Sequence, residues 1–416
     1  MYEFIFQSKM LTAAAGGLLL VLACALTARV GFWWRVLALN FGPVFAAGFL
    51  VAILLSDQRF STIDVIAALV FEFVVLCIFC RFAYRAYHVL HTVERRAARR
   101  ILVAATLLYI GSVTPSALGG GFGIFSSGTR IDYLYESSLA KYLTYAGLMI
   151  SVVLGGVLAR RITLNRRPQF LDYVVILVVS TASILAGSKG GFVLWFGAVV
   201  AFVDYGAARI RPQTIAFALA GVTGLVAVLA VVVSEFLRVS VPDFFELAFT
   251  RFFVNNDARA LAFDLRTLDV SPGINLISEL FRSVSTIFGY APHNSPLGVE
   301  LYDRYFGPSG GAGANASLVA MIIFYTNPGA AALPLVLAAV AAALLFLLGE
   351  FASMRMPSAF SRYAVCIIAT LNIAQLSQDV LAFQVVLPMT VIMATLFYIF
   401  GNMHVLVDQQ PRSAAR

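Results

Sequence analysis

Arg251, Asn255, Arg259 and Arg266 follow one another at spacings of four, four and seven residues, which places them on one face of a helix predicted over 245–268. Such a face is cationic and hydrogen-bonding. Planar guanidinium forks fit the oxyanions of a diphosphate, and fixed cations around a diphosphate leaving group stabilise the charge that develops as the bond to it breaks. Phe249, Phe252, Phe253 and Phe263 fall on the other faces, so the helix is amphipathic and suited to a membrane surface. The plainer alternative is that these arginines snorkel to phospholipid or pair with Asp257 and Asp264.

Further cations join this set. Lys189 stands in the tight Ser188-Lys189-Gly190 turn, Arg238 follows the apolar run 213–235, and Arg282 lies farther along the same polar stretch. Lys189 and Arg238 can flank one cavity at a membrane interface, where ionisable residues mark functional pathways. His293, in Ala291-Pro292-His293-Asn294, is the one histidine of the 236–329 segment, and its ordinary pKa of about 6.5 suits a general base. Asp257 and Glu235 are the acidic alternatives for that role, and a loop histidine satisfied by neighbouring backbone is the alternative for His293 itself. Tyr290, with Phe281, Phe288, Tyr302, Tyr305 and Phe306, can stack on sugar faces or simply anchor a loop at the headgroup level. No metal is expected: His88, His91 and His404 have no third ligand at zinc spacing. The glycine-rich runs 119–123 and 307–313 lack a following Lys-Ser/Thr, so neither is a nucleotide phosphate loop, and no cofactor is expected.

The elements that must position these groups are apolar helices. Of 416 residues, 61% are hydrophobic and 12% charged, and the mean hydropathy is +0.89; one soluble core cannot hide that much apolar surface. The fold class expected is an all-α polytopic membrane protein of about eleven to twelve transmembrane helices. Its spans fall near 12–28, 36–56, 61–80, 101–118, 139–159, 170–187, 190–204, 213–235, 330–350, 361–378 and 382–402. The first of these reads as a retained helix rather than a cleaved signal peptide. The whole chain, 1–416, forms one integral membrane domain, and 236–329 is a large loop with a re-entrant or interfacial helix. That loop is too polar to span and too long for an idle connector.

Orientation follows from Lys and Arg in short loops. Arg81, Arg85, Arg95, Arg96, Arg99 and Arg100 form one basic connection, Arg160, Arg161, Arg166 and Arg167 a second, Arg209 and Arg211 a third. These face the cytoplasm, which puts 119–138, the Lys189 turn and 236–312 outside, provided that 314–326 does not cross. The net charge of +8 is distributed between apolar segments and reports orientation, so no nucleic-acid partner is expected. Cys24, Cys77, Cys80 and Cys366 all lie inside apolar segments, where packing is the expected role.

Three stretches carry a resemblance. Ile184-Leu185-Ala186-Gly187-Ser188-Lys189-Gly190-Gly191 resembles a Ser-Arg-Gly turn at the outer end of a helix, with lysine replacing the usual arginine. Arg251 to Arg266, followed by Phe288-Gly289-Tyr290, resembles an arginine-bearing periplasmic helix and a Gly-x-Gly region. Gly313-Ala314-Asn315-Ala316-Ser317-Leu318, continuing to Tyr325-Thr326-Asn327-Pro328-Gly329-Ala330, resembles a His-Asn stretch leading into the next spanning helix. Together, over roughly 170–345, these resemble the O-antigen polymerase (Wzy) and O-antigen ligase superfamily of polytopic, GT-C-like membrane glycosyltransferases.

The resemblance implies a bacterial inner-membrane enzyme with a periplasmic active site. It would join undecaprenyl-diphosphate-linked oligosaccharide repeat units and release undecaprenyl diphosphate, without metal or nucleotide. Its implied partners are that lipid-linked oligosaccharide and the phospholipid bilayer, with a chain-length regulator and a flippase as protein partners. Arg251, Arg259 and His293 would be catalytic, and Lys189, Arg238, Asn255, Arg266, Arg282, Tyr290 and Asn315 would bind diphosphate and sugar. Ala314 stands where ligases show histidine, which favours polymerase over ligase unless His293 takes that role. A flippase or other transporter is a competing class, against which stands the absence of an evident inverted repeat. For a non-catalytic scaffold the clustered cations would be surplus.

Overall fold

The computed structural model describes residues 62–119, 138–186, 189–208, 240, 276, 279, 281–282, 297–306, 316–327, 329–378 and 389–399. Regular structure among them is helical throughout: α1 (Thr62–Leu90), α2 (Arg95–Gly119), α3 (Ser138–Asn165), α4 (Phe170–Leu185), α5 (Lys189–Phe202), α6 (Tyr205–Ala208), α7 (Leu297–Phe306), α8 (Leu318–Tyr325), α9 (Ala332–Arg355) and α10 (Ala359–Gln378), then α11 (Met389–Ile399). Four of these, α1, α2, α3 and α9, contain stretches long and apolar enough to cross a membrane, while α4, α10 and α11 are apolar but shorter. By the length and composition of these helices the chain is an α-helical membrane protein. The expected spans 12–28, 36–56 and 213–235 lie outside the described residues.

Lipid is the solvent that α9 requires. Only 17% of its apolar window is buried, and Leu337, Val340, Leu344 and Leu348 stand exposed along it. A stripe of this kind is tolerated by hydrocarbon but not by water. At eight residues, α8 is about 12 Å long, well short of a hydrocarbon core of about 30 Å.

Contacts between helix ends define two poles. Arg81 and Arg85, on the last turns of α1, lie 3.1 and 3.3 Å from Glu350 near the end of α9, whereas Asp64 at the start of α1 meets Gly329 and Ala332 at the start of α9. The two helices are therefore parallel. Arg160 near the end of α3 donates to the Val93 carbonyl in the α1–α2 turn at 3.2 Å, and the Asp204 amide after α5 donates to Thr163 of α3 at 3.2 Å. Tyr109 of α2 and Ser183 of α4 share a 2.6 Å hydrogen bond. In the other direction run α2, α4 and α10, so one pole gathers the arginine-rich ends and the far pole gathers the starts of α1, α5 and α9.

Small residues permit the closest crossings. Gly155 and Gly156 let α3 touch α5 and α10 at once: a Cβ on Gly155 would lie 2.8 Å from the Trp195 carbonyl oxygen, and one on Gly156 only 1.9 Å from the Tyr363 hydroxyl. Tyr363 is wholly buried, and its hydroxyl lies 3.4 and 3.3 Å from the Val152 and Val153 carbonyls. It thereby gives a buried polar tip a partner inside an apolar core.

The basic connections are shorter than charge alone predicts. The residues Arg81 and Arg85 sit on α1, and Arg95, Arg96, Arg99 and Arg100 sit on α2, leaving only 91–94 as the turn. Likewise Arg160 and Arg161 belong to α3. The physical reason is that an arginine stem packs along a helix while its head reaches an acceptor, here Glu350 or the Val93 carbonyl, so the first charge does not end the helix. Cys77 is exposed on α1 and Cys366 is buried, both as free thiols.

Candidate functional site

At the far pole two buried carboxylates act as helix caps supplied from elsewhere in the chain. α9 is preceded by Ala331, which has no side-chain oxygen with which to cap it. Its exposed amides are instead met by Asp64, fully buried, which accepts from Gly329 N at 2.7 Å and Ala332 N at 3.0 Å. A carboxylate there satisfies orphan donors and complements the helix dipole. Gly329 has φ of 84°, which glycine adopts without the Cβ penalty, so the corner between α8 and α9 closes onto the start of α1.

Glu279 repeats the device. It is 1% exposed; one oxygen accepts from Leu297 N, the first amide of α7, at 3.0 Å, and the other accepts from Arg282 Nε at 2.5 Å. The next helical rung holds a second pair, Glu300 with Arg304, four residues apart on α7. Leu297 and Leu301 face the core from the same helix. α8 starts at Ser317, whose hydroxyl accepts from Ala320 N at 3.2 Å, and its residues 319–323 are all buried, which carries Tyr325 into the cluster.

Two oxygens in this cluster are buried with no hydrogen-bond partner: Glu300 Oε2 and the Tyr325 hydroxyl. Burial pushes the Tyr325 phenol above its ordinary value, Glu279 and Glu300 push it further, and Arg282 and Arg304 pull the other way. Tyr325 is thus a neutral hydrogen-bond donor across the physiological range. A buried acceptor and a buried donor left without partners cost stability, and a ligand that reaches them completes the network. Two carboxylates, two guanidiniums and a phenol can bind an anion, orient a hydroxyl and take its proton.

Of the residues singled out from sequence, Arg282 is in this cluster, 7% exposed and engaged by Glu279. Lys189 opens α5 at the far pole. Arg238, Arg251, Asn255, Arg259, Arg266, Tyr290, His293 and Asn315 lie outside the described residues. Asp64, Glu279, Glu300, Arg304 and Tyr325 are functional candidates that no spacing in the sequence marks. Another is Glu72, a carboxylate 3% exposed in the apolar stretch of α1. An acid with seven apolar residues before it, 65–71, and eight after it, 73–80, is the signal that marks it. No protein-family model matches the chain, and no curated protein and no solved structure was found to match it.

Proposed function

We propose that this chain polymerises undecaprenyl-diphosphate-linked oligosaccharide repeat units at the periplasmic face of a bacterial inner membrane. The observation that carries the reading is the cluster of Glu279, Arg282, Glu300, Arg304 and Tyr325, with two unpartnered buried oxygens, at the pole opposite the arginine-rich turns. Short arginine-rich connections favour the cytoplasm, so the opposite pole is assigned to the periplasm. There the acceptor sugar's hydroxyl oxygen attacks the anomeric carbon of the donor. The bond from that carbon to the diphosphate oxygen breaks, and the carrier diphosphate leaves with the electron pair.

In this reading Arg251 and Arg259 neutralise the leaving diphosphate, assisted by Lys189, Arg238, Asn255 and Arg266. Glu300, through its unpartnered oxygen, takes the acceptor's proton and Tyr325 orients the same hydroxyl, with His293 as the other candidate base. Tyr290 and Asn315 contact sugar. Ligation of finished polymer to a lipid acceptor uses the same chemistry and is disfavoured by Ala314. A second reading, transport of the lipid-linked oligosaccharide, is favoured by the buried Glu72 of α1, since intramembrane acids are typical of coupled carriers.

The site assignment is tested in cells carrying variants of the full chain. Arg251→Ala and Arg259→Ala should each abolish surface polymer while protein level stays unchanged, and lysine at either position should restore it only in part, because ammonium keeps the charge but not the planar fork. Normal polymer from the double alanine variant would overturn the assignment.

A further inference from the structure

The arginine-rich pole holds a cleft of about 460 Å³ between the start of α2 and the α3–α4 turn. Arg95, Arg96 and Arg99 form one wall, Arg161 and Asn165 a second, and Phe170 the rim. No carboxylate lines it, and among the described residues no ion pair holds Arg95, Arg96 or Arg99. Three exposed guanidiniums at the start of a helix repel one another and the helix's own positive end, so an anion in the cleft is electrostatically favoured. Arg161 belongs to the wall rather than to the free charge, because Asp172 and Gln169 occupy it.

Two further observations select the anion. Asn165 Oδ1 is buried without a partner and can accept from a hydroxyl, which inorganic phosphate does not bring beyond its own acidic proton. Phe170 is 84% exposed at the first turn of an apolar helix, the level at which aromatic rings meet the boundary between headgroup and acyl chain. We infer that this cleft binds an anionic phospholipid with a hydroxyl-bearing headgroup, of the phosphatidylglycerol type. Its phosphate lies against Arg95, Arg96 and Arg99, its glycerol hydroxyl donates to Asn165, and its acyl chains leave past Phe170. Basic pockets between spanning helices are well suited to such headgroups. The site is independent of the chemistry at the far pole.

Native mass spectrometry of the full chain, released from vesicles of equal phosphatidylglycerol and phosphatidylcholine, reads retained lipid directly. The wild-type protein should keep phosphatidylglycerol in preference. The triple variant Arg95→Gln, Arg96→Gln, Arg99→Gln should lose that retention by about tenfold or more, whereas Arg100→Gln, Arg166→Gln, Arg167→Gln, which removes equal charge outside the cleft, should keep it. Asn165→Leu, with every arginine intact, should lose the preference for phosphatidylglycerol over phosphatidic acid, which covers the case of a triple variant that does not fold. Equal loss in both triple variants, equal retention of the two vesicle lipids by the wild type, or full displacement by inorganic phosphate would each overturn the inference.

Discussion

Asp172→Ala should destabilise the folded protein by about 3–5 kcal/mol, enough to remove most of it from the membrane. Asp172 is fully buried at the first turn of α4. One of its oxygens accepts from Arg161 Nε at 2.5 Å, and the other accepts from the Gln169 amide at 2.7 Å. Arg161, 5% exposed, also donates to Gln169 Oε1 at 3.1 Å. Together they close the turn that reverses the chain from α3 to α4. Removing the carboxylate leaves a guanidinium desolvated and unpaired, which costs more than the pair contributes. The combination Arg161→Met with Asp172→Leu should therefore recover a good part of the loss, because apolar groups of similar volume leave no charge to desolvate. Thermal unfolding in detergent of the single and double variants measures both effects. A single variant as stable as the parent, or a double variant no better than the single, would contradict the account.

The second large effect is on activity with stability intact. Tyr325→Phe and Glu300→Gln should each lower polymer formation by about a hundredfold to ten-thousandfold, the span typical of losing a positioned acid or base. The fold should not suffer. The Tyr325 hydroxyl and Glu300 Oε2 have no partner to lose, and glutamine keeps an acceptor for the bond that Arg304 donates to Glu300 Oε1. Removing an orphaned buried polar group is neutral or mildly stabilising. Equal or higher unfolding temperature together with lost turnover would separate a catalytic role from a packing role, which would show the reverse. Unchanged turnover in both variants would take this cluster out of the reaction.

The helices were more legible than the site, and particular residues show why. The charge-free run of α9 announces itself, and its exposed Leu337, Val340, Leu344 and Leu348 follow from the same pattern. The first apolar stretch of α1 is equally plain, but its last ten residues, 81–90, look like a connection because a hydropathy window closes at Arg81. Arg81 is held on the helix by Glu350, 269 residues away, and no local pattern encodes such a partner. The site follows the same logic more severely. Asp64 meets Gly329 across 265 residues and Glu279 meets Leu297 across 18; a carboxylate that caps someone else's helix has no capping-box spacing to read. Tyr325 and Glu300 come together only once α7 and α8 are placed. Arginines at helical spacing, by contrast, can be counted directly, so Arg251 and Arg259 stand out in the sequence where the capping acids do not.

The central claim is glycosyl transfer between carrier-linked repeat units, and one measurement bears on it most directly. The purified full chain is incubated with a synthetic undecaprenyl-diphosphate-linked repeat unit, with no metal or nucleotide added, and the products are resolved by size. A ladder of lengths and release of undecaprenyl diphosphate are expected. Absence of any ladder, with the same lipid instead moving across vesicle membranes, would contradict the central claim and make the protein a carrier.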